Sequence, residues 1–259
     1  MKLFPCQVRA LVKLSFLELW RRNDVFALVL LGLALMVPLS MASPFGAEGA
    51  SRYLDEMALL LVWGFSLFIA LGAGQRLFPP EFESRTIYPL LAKPISRVRL
   101  LIGKYIGAVA ASWSALAFFY ALFVGSVLAR GGGFSSELLQ AVVLHFAFVA
   151  LAVAVSLFGS LLVTASANLS LSAIVLVGMF FFGRGIPEYA EGLNPALAWL
   201  LKAVYAVAPH AEFFDMRQRL IHGWGAVDGL VFAVVLLYAA AYVAALLSAA
   251  SVVLWRKRL

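Results

Sequence analysis

Between Leu138 and Gly183 the chain carries no Asp, Glu, Lys or Arg. A helix needs about 20 residues to cross the hydrocarbon of a bilayer, so this run is too long for one crossing. The polar turn TASANLS at 164–170 is the natural place to fold it into two antiparallel helices. The remainder of the chain has the same character: 64% of its 259 residues are hydrophobic and 13% are charged, with a mean hydropathy of +0.97. A soluble domain carries about 45–50% apolar residues and about 25% charge. The expected fold is therefore an all-α membrane protein, a single transmembrane domain over residues 1–259.

Six spans are expected, at 25–42, 57–78, 100–129, 138–164, 169–185 and 229–254. Pro38 in the first is tolerable, because neighbouring groups in a bundle can re-satisfy the carbonyl it frees. An even number of spans puts both termini on one side. The positive-inside bias then sets the orientation. With the N-terminus cytoplasmic, fourteen of the twenty Lys and Arg residues lie inside: the N-terminal and C-terminal groups together with Arg76, Arg85, Lys93, Arg97, Arg99 and Lys104. The other six, Arg52, Arg130, Arg184, Lys202, Arg217 and Arg219, lie outside. FALVLLGLALMVPLSMAS has the apolar core of a cleaved leader. Cleavage there would leave five spans and set the basic segments against the charge bias. The expectation is a multi-pass protein of the cell membrane with both termini cytoplasmic.

Several function classes fall away on composition. The +7 formal charge follows topology rather than a basic patch interleaved with aromatics, so nucleic acid is not an expected partner; membrane lipid is. Cys6 is the single cysteine and has no CxxC partner. His145, His210 and His222 fall in different regions without Cys or carboxylate at ligand spacing, so no metal site is expected. HExxH and paired aspartates are absent from the spans. So is the phosphate-binding pattern GxxxxGK[ST]: Gly103-Lys104 is followed by Tyr105 and lacks the preceding glycine. The chain is not expected to be an ATPase or any other enzyme. Secondary transporters carry ionisable residues inside their spans, and here the one mid-span candidate is His145. It reads either as a neutral imidazole bonded to a neighbouring helix or as a residue lining a substrate route.

The densest charge lies in the connector PPEFESRTIYPLLAKPISRVRLLIGK at 79–104. Proline is favoured at the first turn of a helix, and Glu81 and Glu83 complement the positive end of a helix dipole there. Pro89 and Pro94 then act as stops. A short, rigid cytoplasmic helix at about 80–93 is expected, attached directly to two spans. Helix-start chemistry and a partner contact both account for Glu81 and Glu83. Arg97, Arg99 and Lys104 read equally as topology-driven positive charge in solvent or as ligands for lipid phosphates. Residues 1–24 are expected to form an interfacial helix, with Arg9 and Lys13 on one face and Val8, Leu11, Val12, Phe16 and Leu19 over most of the rest. Before the last span, PALAWLLKAVYAVAP is too short to cross and reads as an outer-side re-entrant or interfacial helix. The following APHAEFFDMRQRLIHGW mixes aromatics, histidines and charges on that side.

The connector resembles the signature of ABC-2 type transporter permeases. The matching residues run Glu81-x-Glu83-x-x-Thr86, Leu90-Leu91, Pro94-x-Ser96-Arg97 and Gly103-Lys104 leading the next span. The six-span layout, the N-terminal helix and the insertion before span six match as well. Arg85 stands where many members carry glycine, and Pro89 shortens the helix. The resemblance implies that Glu81, Phe82, Glu83, Arg85, Thr86 and Tyr88 form a coupling helix contacting a separate ATPase subunit. Leu90, Leu91, Pro94, Ser96, Arg97, Gly103 and Lys104 would support it. It further implies a dimer of ATPase subunits that carry the ATP and Mg, no cofactor in this chain, a second permease that is either a copy or a homologue, and an exporter. The alternative function is a non-transporting membrane anchor or signal-relay subunit acting on an extracytoplasmic partner. Stimulation of ATPase activity by cargo, as against stimulation only by another protein, separates the two.

Overall fold

A computed structural model describes residues 3–21, 23–41, 50–79, 96–131 and 133–257. They form ten α-helices: α1 Leu3–Trp20, α2 Asn23–Met41, α3 Ala50–Gln75, α4 Arg97–Ala129, α5 Ser136–Ser160, α6 Ala165–Phe182, α7 Ile186–Glu191, α8 Pro195–Val207, α9 Arg217–His222 and α10 Gly229–Arg256. Two 3-10 turns, Gly183–Gly185 and Ala211–Phe214, link the elements between α6 and α9. No strand occurs among the described residues.

Among the described residues, five helical segments are long and apolar enough to cross a membrane: Tyr53–Gln75, Arg97–Ala129, Ser136–Ser160, Ala165–Glu191 and Gly229–Arg256. The first expected span corresponds to α2, which is 19 residues long with Pro38 near its end. Its apolar stretch among the described residues is Phe26–Pro38. The helix starts follow local chemistry. Ser135 caps α5 by accepting from Leu138 N at 3.3 Å. Asp228 caps α10 by accepting from Leu230 N at 3.0 Å. Each satisfies a backbone donor that the helix itself leaves open.

The break in the charge-free run lies earlier than the sequence suggests. α5 ends at Ser160, Leu161–Val163 make the turn, and Ala165 already opens α6. Of the residues read as a turn, Asn168 is used inside the helix, where Ser172 one turn on supports it. Asn168 donates to Ser156 O at 2.7 Å, and Ser172 donates to Asn168 Oδ1 at 3.1 Å. In an apolar bundle such groups are better met by the next helix than by a loop.

α5 occupies the centre and packs against α3, α4, α6 and α10. Phe148, Leu151 and Leu157 on α5 are fully buried with Leu67 and Leu71 of α3 and Phe119 of α4. Trp63 on α3 stacks on Phe148 with ring centroids 5.1 Å apart.

Close approach at several crossings depends on glycine. A Cβ on Gly74 of α3 would lie 2.6 Å from Ser156 Cβ, and one on Gly32 of α2 would lie 2.6 Å from the Phe119 ring. The same holds where α1 docks on α4. A Cβ at Gly103 would meet Leu11 Cβ at 2.7 Å, and one at Gly107 would meet Ser15 Cβ at 2.6 Å and Val12 O at 2.9 Å. Leu11, Ser15 and Leu19, four apart, are the buried stripe of α1, while Arg9 and Lys13 are exposed. The Gly103, Gly107, Ala111 ridge therefore seats the N-terminal helix within the same chain.

Replacing Gly107 by valine should force α1 from its seat, because one of the atoms in the way is backbone. Overpacking of this kind costs about 1–3 kcal/mol, read as a lower thermal unfolding midpoint in detergent. Gly125→Ala on the same helix meets no atom within 4 Å and should leave the midpoint unchanged or raise it.

Candidate functional site

The connector at 80–95, with Glu81, Phe82, Glu83, Arg85, Thr86, Tyr88, Leu90, Leu91 and Pro94, lies outside the described residues. Its two anchor points are described. On the upstream side α3 ends at Gln75 and the chain turns through Arg76, Leu77 and Phe78, with Pro79 already helical. Downstream, Ser96 caps α4, its Oγ accepting from Arg99 N at 3.3 Å. α4 has 33 residues, about 50 Å at 1.5 Å per residue. That exceeds a hydrocarbon core of about 30 Å, so one end can project beyond it with Arg97 to Lys104.

Lys104 does not sit in solvent. It is 5% exposed; its Nζ donates to Leu77 O and stands over the Phe78 ring, 5.0 Å from the centroid. A buried ammonium requires a partner. Leu77 O, in the turn just beyond the negative end of the α3 dipole, supplies one. The contact ties the two ends of the connector to each other across their base.

Arg97 is engaged as well. Its Nη1 donates to Leu254 O at 2.7 Å, Trp255 O at 3.0 Å and Lys257 O at 3.1 Å. These carbonyls belong to the C-terminal turn of α10 and the residue just after it, groups that a helix leaves without internal partners. A guanidinium with several fixed donors suits a cluster of oxygens better than a single ammonium does. The downstream foot of the connector is therefore joined to α3 through Lys104, to α10 through Arg97, and to α1 through Gly103 and Gly107. Of the readings open in the sequence for Arg97 and Lys104, neither a solvated loop nor a lipid-phosphate ligand describes these contacts.

His145 lies deep in the bundle at 5% exposure. Ser66 Oγ of α3 is 2.8 Å from its Nε2, and Tyr120 OH of α4 is 2.9 Å from its Nδ1. A neutral imidazole has one donor and one acceptor nitrogen, and a hydroxyl can fill either complementary role. The ring thus links three helices with both nitrogens satisfied. Above it lies a cavity of about 20 Å³ whose far wall includes Asp215 and Arg217, room for a single water. Arg217 grips Asp215 through Nε at 3.0 Å and Nη2 at 3.1 Å. Ser66 and Tyr120 carry no signal in the sequence beyond being polar residues within apolar spans.

The end of the bundle away from the connector has its own polar ties. Gln140 of α5 both donates to Val227 O at 2.9 Å and accepts from Val227 N at 2.8 Å, which orients the start of α10. Arg130 pairs with Asp55. Among the described residues no group of three or more His, Cys, Asp or Glu side chains is placed to hold a metal ion.

The hydroxyl partners of His145 give a measurable coupling. Tyr120→Phe and Ser66→Ala should each lower stability by roughly 0.6–1.7 kcal/mol, the range of interhelical hydrogen bonds in membrane bundles. In a His145→Phe background both effects should shrink, as read from unfolding in mixed micelles by a double-mutant cycle.

A family model described as "ABC-2 family transporter protein" matches residues 29–192, well over half of the 259 residues. No curated protein matches the chain. The matched region runs from α2 through the connector to α7 and so contains both feet of the connector and the His145 junction. With its long apolar helices and this match, the chain is a multi-pass membrane protein that belongs to the ABC-2 transporter family.

Proposed function

We propose that this chain is the permease subunit of an ATP-driven exporter whose energy comes from a separate ATPase. The supporting observation is the way the connector is rooted. Lys104 joins its two ends at Leu77, and Arg97 joins it to the last helix. A load applied to residues 80–93 by a soluble partner would pass into α3, α4 and α10 together and carry α1 with them. A loose tether could not deliver that. The chain has no phosphate-binding motif of its own, so ATP and Mg belong to the partner.

In this reading α2 is the first of six spans and both termini are cytoplasmic. The connector forms the coupling helix, and α8 lies at the outer surface. α8 has no buried residue, and Trp199 on it is 73% exposed, which suits a helix resting among lipid headgroups. Two permeases would enclose the route. α10 offers a face for that pairing, since Ala241 and Ala245 are exposed along it and small residues permit close helix approach in lipid. His145, bonded on both nitrogens, would border the route from inside as a neutral polar group. The cargo class suggested by the charge-poor interior is lipid-like or amphipathic.

The test is affinity purification in mild detergent followed by ATPase measurement in proteoliposomes. Wild type should retain an ATPase. Glu83→Ala and Arg85→Ala should each reduce cargo-stimulated ATPase activity several-fold with normal membrane insertion. Arg97→Ala should behave differently, keeping the ATPase bound while stimulation falls, because it cuts the link to α10 rather than the docking face. Absence of any co-purifying ATPase would remove the energy source and overturn the reading.

A further inference from the structure

At the end of the bundle remote from the connector, a cavity of about 450 Å³ opens between the α6–α9 segments and the start of α10. Its size falls within the range of small-molecule sites. Glu212 forms part of its wall. This residue is 3% exposed, and its Oε1 lies 3.1 Å from His210 Nδ1 and accepts from Tyr205 OH at 3.4 Å. The other oxygen, Oε2, is buried and has no hydrogen-bond partner among the described residues. Gly183 makes room for this carboxyl group: a Cβ there would stand 2.5 Å from Glu212 Cδ. Burial, and then the Glu212 charge, hold the Tyr205 hydroxyl above its ordinary pKa, so it remains a donor. A buried carboxyl oxygen without a donor is costly, and a cationic ligand would supply one.

The same cavity carries positive charge at a different point. Arg184 is exposed on its wall, and Arg219, whose Nη1 donates to Gly225 O at 3.2 Å, lines it too. Asp215 also lines the cavity but is matched by Arg217. What remains is one carboxylate and two guanidiniums around one space, with Trp224 and Phe232 supplying aromatic and apolar wall. The location adds a constraint. α6 ends at Phe182 and α10 begins at Gly229, so the cavity opens where two membrane helices end, the level at which headgroups are expected, and reaches in to Leu144 and Val235. Trp224, on the cavity wall, is exposed, as an aromatic of an interfacial belt would be. On the α10 side, Leu230, Val231 and Val234 present an exposed apolar flank along which acyl chains can lie.

We propose that this cavity binds a zwitterionic phosphate–ammonium head group, with Glu212 taking the ammonium and Arg184 and Arg219 the phosphate. The apolar flank and the depth favour a phospholipid as its source over a free head group in solution. Arginine forks suit phosphate oxygens, and an aromatic wall suits an ammonium. The site does not depend on the direction of transport or on the ATPase partner.

Binding to the full-length protein in nonionic detergent, followed by calorimetry, tests it. The probes are dihexanoyl phosphatidylethanolamine, dihexanoyl phosphatidylglycerol, O-phosphoethanolamine and inorganic phosphate. The ethanolamine lipid should bind saturably, roughly ten-fold tighter than the glycerol lipid, as loss of one charge-assisted contact implies. Glu212→Gln should erase that preference and leave the glycerol lipid unchanged. Arg184→Ala, a change at an exposed position, should weaken both lipids. Equal binding of the two lipids to wild type overturns the proposal. So does undiminished preference in a Glu212→Gln protein with a normal unfolding midpoint, or full retention of both lipids by Arg184→Ala. Should Glu212→Gln fail to fold, the wild-type preference and the Arg184→Ala result decide. Binding of O-phosphoethanolamine as tightly as the lipid supports the head-group chemistry and assigns its source to solution. Equally tight binding of inorganic phosphate reduces the site to an anion site and overturns it.

Discussion

The ammonium of Lys104, held against the carbonyl of Leu77 in an apolar interior, organises the half of the molecule that faces the connector. A charge there is tolerable only with a partner in place. Leu77, in the turn just after α3, supplies one such partner, so α3 and α4 must stay in register for that contact to be made. Arg97, two turns earlier on α4, meets the carbonyls at the end of α10. Two cations that first read as surface charge are thus the fastenings between the connector and three long helices.

Between helices in lipid there is little hydrophobic force, because acyl chains are as apolar as leucine. Association then rests on close packing and on polar contacts that cross from one helix to the next. Both occur along α5. Ser156 donates to Leu71 O at 2.8 Å at the point where Gly74 lets α3 approach. Tyr105 and Trp113 of α4 donate to Ala150 O and Phe146 O, at 3.1 and 2.9 Å. His145 adds a junction of three helices. Each contact uses a backbone carbonyl or a small polar side chain, so the interior is polar at points and apolar everywhere between them.

The division of the chain into long apolar helices was legible in the sequence, as was the helical nature of 195–207. The exact placing of the turn after α5 was not. TASANLS has the composition of a loop, yet Asn168 donates to a carbonyl of the neighbouring helix, and composition does not distinguish a polar residue facing water from one facing a carbonyl. Nothing in the sequence says that α1 would occupy the space left by Gly103 and Gly107. Glu212 drew no attention beyond belonging to a mixed polar run, since a buried carboxyl and an exposed one look alike in one dimension.

The sequence by itself determined that this chain belongs in a membrane and where its long helices run, because hydrophobic length is a local property that bilayer thickness reads directly. It also carried the ABC-2 family's pattern in the connector. Only the tertiary structure decided what Lys104, Arg97, His145 and Glu212 touch. For Lys104, Arg97 and His145 those contacts join residues far apart in the chain, from 25 positions for His145 and Tyr120 to 160 for Arg97 and Lys257. The partners of Lys104 and Arg97 are main-chain carbonyls, which every residue possesses and no sequence pattern marks.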